Sequence, residues 1–195
     1  MLLLLAAYQI LEIIICTVSQ KNIFLLQMAF ITVAWLPPTG ILLVAQLYPS
    51  KRHAVYWYAR SMFALALVIV LWIFIDKSFV SESVCTVVFV RYFNPMPKYL
   101  IYCGFYWLGL LSMILLSAHG INISRDHKQR RLLWQVLVGS LAFIIPSLIT
   151  VLIIPPTKGA SPSIMCHYAL LMAIFIIKLI YLERRINNST TDKVR

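Results

Sequence analysis

The sequence predicts an all-α integral membrane protein, a bundle of about six transmembrane helices, and three observations carry that expectation. The 195-residue chain is 62% hydrophobic and only 12% charged, with a mean hydropathy of +0.88, whereas a soluble domain is close to half apolar and about a quarter charged. Its apolar runs reach the roughly 20 residues that a helix needs to cross a hydrocarbon core. Those runs are continuous, without the alternation of barrel strands, which leaves helices as the structure that satisfies every backbone group in lipid.

The spans fall at 2–18, 23–48, 54–75, 99–119, 132–154 and 162–182, so residues 1–182 form a single transmembrane domain and 183–195 a short basic tail. With six spans, the loop at 49–53, the loop at 120–131 and the tail share one side. That side carries Lys51, Arg52, Arg125, Lys128, Arg130, Arg131, Arg184, Arg185, Lys193 and Arg195, against Lys21, Lys77, Arg91, Lys98 and Lys158 on the other. Cytoplasmic loops carry the excess of Lys and Arg, so both termini are expected in the cytoplasm, with the protein in the cell (inner) membrane. Arg60 and Lys178 lie within spans near the basic side, where long side chains reach the headgroups. The net charge of +11 is thus accounted for by insertion. It points to the lipid bilayer and its anionic headgroups as partners, with no nucleic acid. The run SRDHKQRRLLWQ reads as a membrane-facing loop that could also meet a membrane or cytoplasmic protein partner.

The first span begins at the first residues, MLLLLAAYQILEIIIC, with no early Lys or Arg and with Glu12 inside the apolar run. Both features argue for a retained helix over a signal peptide. A seven-helix architecture lacking its first helix is the alternative that accounts for the bare start. Sequons at Asn122, Asn187 and Asn188 fall on the cytoplasmic side and are expected to be unmodified.

Cys16, Cys85, Cys103 and Cys166 all map to the outer half. A bridge between Cys85 and Cys166 would tie the long outer loop, with its strand-like run VCTVVFV and stiff NPMP, onto the bundle. Buried free thiols are the competing account. Ionisable residues inside spans are costly and mark function, which singles out Glu12 in the first span and His167 in the last. Tyr8 and Gln9 share the face of Glu12. Glu12, Gln9, Ser147 and His167 are therefore the candidates for an outer-facing ligand or proton-linked pocket, with Cys166 at its border. The competing account has Glu12 bonded to a neighbouring helix and His167 at the interface.

Pro37 and Pro38 break the second span and Pro146 the fifth. Each frees backbone carbonyls near mid-membrane, as at transporter binding sites or at simple packing kinks. No HExxH, CxxC or helical His pair suggests a metal, no nucleophile elbow suggests a hydrolase, and no catalytic residue or cofactor is expected. Lys178 lies too near the cytoplasmic end for a Schiff-base lysine and reads as a snorkelling cation.

The segment LQMAFITVAWLPPTGILLVAQL resembles the Pro-pair helix in the seven-helix sensor region of bacterial histidine kinases, a likeness over one helix. YQILE near the start, with PSIMCHYAL near the end, is similar to a family of uncharacterised bacterial multi-pass membrane proteins that usually begin one helix earlier. These likenesses imply a seven-helix ancestor and supply no activity. The resulting expectation is a non-enzymatic small sensor or accessory protein, with a small-solute transporter or channel as the alternative.

Overall fold

The computed structural model describes residues 1–18, 21–49, 53–86, 90–153 and 160–191. The order is α1 (Leu2–Val18), α2 (Ile23–Ala34), α3 (Leu36–Leu47), α4 (His53–Ile75), β1 (Glu82–Cys85), β2 (Val90–Phe93), α5 (Met96–Ile123), α6 (His127–Ile153) and α7 (Ser161–Thr191). The fold is all-α apart from one antiparallel hairpin, in which Glu82 pairs with Phe93 and Cys85 with Val90. Among the described residues, four helical rods are long and apolar enough to cross a membrane: Ile23–Leu47, His53–Ile75, Met96–Ile123 and His127–Ile153. The apolar part of α7, Ser163–Lys178, is shorter, as is α1. At 17 residues, α1 spans about 25 Å. Leu100, Leu115, Ile149 and Leu152 are among the many large apolar side chains facing outward, a surface suited to lipid.

The rod α2–α3 is the hub. Only Trp35 separates its halves, and that residue keeps a right-handed helical backbone. Pro37 and Pro38 sit in the first turn of α3, where a missing N–H removes no intrahelical bond. Of this rod's most apolar stretch 67% is buried, against 28–39% for the other three. It touches α1, α4, α5 and α6, while α7 packs on α1 and α6. Glycine brings α5 unusually close: a Cβ on Gly109 would lie 2.3 Å from the Pro37 Cβ.

Several boundaries differ from expectation. The basic loop expected at 120–131 shrinks to 124–126, because α5 and α6 run on past the apolar residues. Helical backbone satisfies itself in headgroups as well as in hydrocarbon. The turn is closed by Asp126, whose Oδ1 accepts the Lys128 N–H at 3.0 Å while its carbonyl accepts the Arg130 N–H. Helix α7 likewise continues through most of the expected tail. The strand-like run is two strand ends rather than one strand. Its residues 87–89, together with Lys51, Arg52, Lys158, Lys193 and Arg195, lie outside the described residues.

At the hairpin end, Phe79 and Val80 plug the bundle. Phe30 meets the rings of Phe79, Tyr92 and Tyr102 edge-on at 5.3, 5.0 and 5.2 Å. Gln27 Nε2 donates to the carbonyls of Ile73 (2.6 Å) and Asp76 (3.1 Å), closing the end of α4. Beyond it Asp76 pairs with Lys98 at 2.5 Å. At the opposite end the Tyr48 hydroxyl bonds His119 Nδ1, and Gln129 Nε2 donates to the Leu47 carbonyl at 2.8 Å.

Candidate functional site

Helix α1 buries one face, Leu5, Tyr8, Glu12 and Ile15, a three-to-four residue spacing that places the tyrosine directly above the carboxylate. The Tyr8 hydroxyl donates to Glu12 Oε1 at 2.9 Å and lies 3.3 Å from the Tyr92 hydroxyl of β2. Because Tyr8 has one proton and gives it to Glu12, Tyr92 donates to Tyr8, forming a chain that ends on the carboxyl. Burial pushes the Tyr92 phenol well above its usual range, so it remains a protonated donor. Helix α7 supplies the other wall: Ser163 and His167 face the same carboxyl. Ser163 Oγ also accepts the Val90 N–H at 3.2 Å, which seats β2 on α7. His167 Nδ1 donates to the Ser163 carbonyl at 2.8 Å, leaving Nε2 as an acceptor in the neutral ring.

The disulfide joins Cys16 to Cys85, with Cα atoms 5.8 Å apart. This corrects the expected Cys85–Cys166 bridge. Cys16 ends α1 beside β1, whereas Cys166 points into the core as a buried free thiol, close to Tyr8 and Tyr92 of the cluster and to Tyr102 and Tyr106. Cys103 is also free. The bridge and the Tyr–Glu chain thus hold the hairpin on α1 from two points.

The four pocket candidates divide. Glu12 and His167 come together. Gln9, three positions before Glu12, forms no hydrogen bond with either, and its buried amide nitrogen has no partner among the described residues. Ser147 lies elsewhere, on the wall of a cavity of about 210 Å³ formed by α2, α5, α6 and α7. Its hydroxyl donates to the Ile144 carbonyl at 2.9 Å, beside Pro146, which stays inside a continuous helix. At the other break the Val33 carbonyl, which Pro37 cannot serve, accepts the Trp35 N–H, and Tyr102 donates to the Phe30 carbonyl at 3.1 Å. At the first proline site the carbonyl freed by Pro37 thus finds a protein partner, and at the second the helix runs on unbroken.

Tyr92 and Ser163 were not among the expected site residues. Ser163 stands four before His167, one turn away, and was legible by that spacing. Nothing in the sequence marks Tyr92, which reaches the site only through hairpin register. Among the described residues no three of His, Cys, Asp and Glu gather in a metal-binding group. Comparison with protein-family models, with curated proteins and with solved structures finds no match in any of the three.

Proposed function

We propose that this chain is a non-enzymatic bacterial inner-membrane sensor or accessory protein whose outer end recognises a small polar ligand, or a partner's polar group, at the Glu12 cluster. The observation that carries this reading is the Tyr92–Tyr8–Glu12 chain. It places a carboxyl acceptor at the junction of α1, α7 and the hairpin, where exchanging one donor for another would alter how three elements meet. A ligand bearing hydroxyl or amine donors fits an acceptor of this kind.

Two independent features support an outer position for the hairpin: the ten-to-five distribution of Lys and Arg, and a disulfide, which persists in oxidising compartments. Both termini are then cytoplasmic, and the basic ends of α5 and α6 lie against anionic headgroups. The bacterial assignment rests on the family likeness of YQILE and PSIMCHYAL.

The test is a thermal-shift panel of small polar solutes on the detergent-solubilised protein, with Glu12→Ala and His167→Ala beside it. The expected result is a solute that stabilises the native chain and has no effect on either variant. If no solute shifts the native chain, and both substitutions leave stability and partner association unchanged, the reading fails. A solute transporter is the weaker reading, because Pro37 packs on Gly109 and the freed Val33 carbonyl is occupied. Solute flux in proteoliposomes that responds to substitution of Pro37 or Pro146 would favour it.

A further inference from the structure

The cavity that holds Ser147 is separate from the Glu12 cluster and has a chemistry of its own. Its walls are mostly aromatic and aliphatic: Tyr102 and Tyr106 stack with centroids 6.4 Å apart and planes 19° from parallel, and Trp107 adds a third ring. At about 210 Å³ it exceeds the ~150 Å³ of an apolar cavity that takes up benzene. Two donors on the wall bond no described residue, the Trp107 indole N–H and the Tyr106 hydroxyl. Tyr102 donates to Phe30 and Ser147 to Ile144, whereas the Tyr106 hydroxyl, on a side chain only 8% exposed, bonds no described residue. The Tyr106 oxygen keeps some accessible surface in this mostly apolar setting, and a ligand acceptor would satisfy its hydroxyl.

The approach to the cavity narrows the ligand further. Its rim includes Leu148, and the neighbouring surfaces of α5 and α6 present Leu100, Ile149 and Leu152, each at least half exposed on rods suited to the hydrocarbon layer. A molecule entering there comes from the bilayer, so it is lipophilic and uncharged. Flat aromatic walls favour a planar ring, and a phenol donor without a partner asks for an acceptor such as a carbonyl oxygen.

We propose that the cavity between α5, α6 and α7 binds the ring of a membrane-dissolved quinone-type ketone, with Tyr106 donating a hydrogen bond to its carbonyl and any apolar tail lying along α6 in the lipid. This does not depend on the Glu12 reading, and the variants that test it leave that cluster intact.

The test uses the full chain in detergent at fixed concentration, with 2,3-dimethyl-1,4-naphthoquinone as probe, whose substituted quinone ring has no open position for thiol addition by Cys103. Unfolding temperature is followed against probe concentration. The native chain is expected to be stabilised in a saturable way. Tyr106→Phe, which keeps the ring and loses the donor, should need about tenfold more probe for the same shift. Val151→Phe, which narrows the rim, should abolish the shift. The hydrocarbon 2,3-dimethylnaphthalene should act weakly and equally on native protein and Tyr106→Phe. No shift in the native chain, an unchanged response in either variant, or equal stabilisation by the hydrocarbon would each overturn the proposal.

Discussion

The two ends of the bundle are held together by different means. At the hairpin end a covalent bridge, a buried carboxyl with its tyrosines and a nest of edge-on aromatic rings fix elements that are far apart in sequence. At the opposite end α3, α5 and α6 meet through one hydroxyl–imidazole bond, one amide bond and the close approach of Gly120 to Leu133 and Tyr48. The first end orders polar groups in the interior at considerable desolvation cost, and the second leaves its charges to solvent and headgroups. The difference teaches that one end is fixed by buried polar and covalent links and the other by sparse contacts at its rim.

Breaking the bridge is the most disruptive way to test the contrast. Cys85→Ser is expected to lower stability by about 3 kcal/mol, read from denaturant unfolding in detergent. Cys16→Ser should match it, and the double substitution should be no worse than either. Unequal singles would mean that one thiol has another structural role. Next, Gly120→Val pushes new methyl groups toward Leu133 Cδ1, already 3.0 Å from the position of an added Cβ. The expected cost is about 2 kcal/mol, with the hairpin unaffected in hydrogen exchange. Tyr8→Phe removes the donor to Glu12 and should cost about 1 kcal/mol, with faster exchange concentrated in β2. Tyr48→Phe at the other end should cost roughly 0.6 kcal/mol, and an effect larger than that of Tyr8→Phe would reverse the contrast.

The smallest effect concerns pH. Lys98 and then Ser78 hold the Asp76 carboxyl below the usual carboxylate range, just beyond the end of α4. A carboxyl whose folded value is depressed adds stability above its unfolded value and loses it as pH falls through the folded one. The stability difference between native protein and Lys98→Ala should therefore be present at neutral pH and vanish on acidification. Since both side chains are partly exposed, added salt should shrink it.

Much of the fold was legible because membrane helices announce themselves through uninterrupted apolarity. The runs at 23–48 and 54–75 end within a residue of their helices. The ends near 120 and 131 were misplaced because helix does not stop where apolarity stops. In the site, Glu12 and His167 stood out as ionisable residues at similar depth, and Tyr8 followed from its helical spacing. The partner of Cys85 did not, since Cys16 and Cys166 both lie in the outer half and helix rotation decides which one faces the loop. Ser147 was misassigned for the same reason: depth is readable from sequence position, but azimuth around the bundle is set by packing. Nothing in the sequence marks Tyr102, Tyr106 and Trp107 as a cavity wall, because the gap beside them is set by how α6 and α7 pack.

The link between Cys16 and Cys85 also sets an order of events during synthesis. With the two 69 positions apart, the earlier thiol leaves the ribosome long before its mate, and on the proposed orientation they can join only after three rods have inserted and the loop beyond α4 has been translocated. On the proposed orientation the bond therefore acts as a record of completed insertion: a chain threaded in the wrong direction would hold both cysteines in the reducing cytoplasm, one with a span skipped would leave them on opposite faces, and neither would carry such a mark.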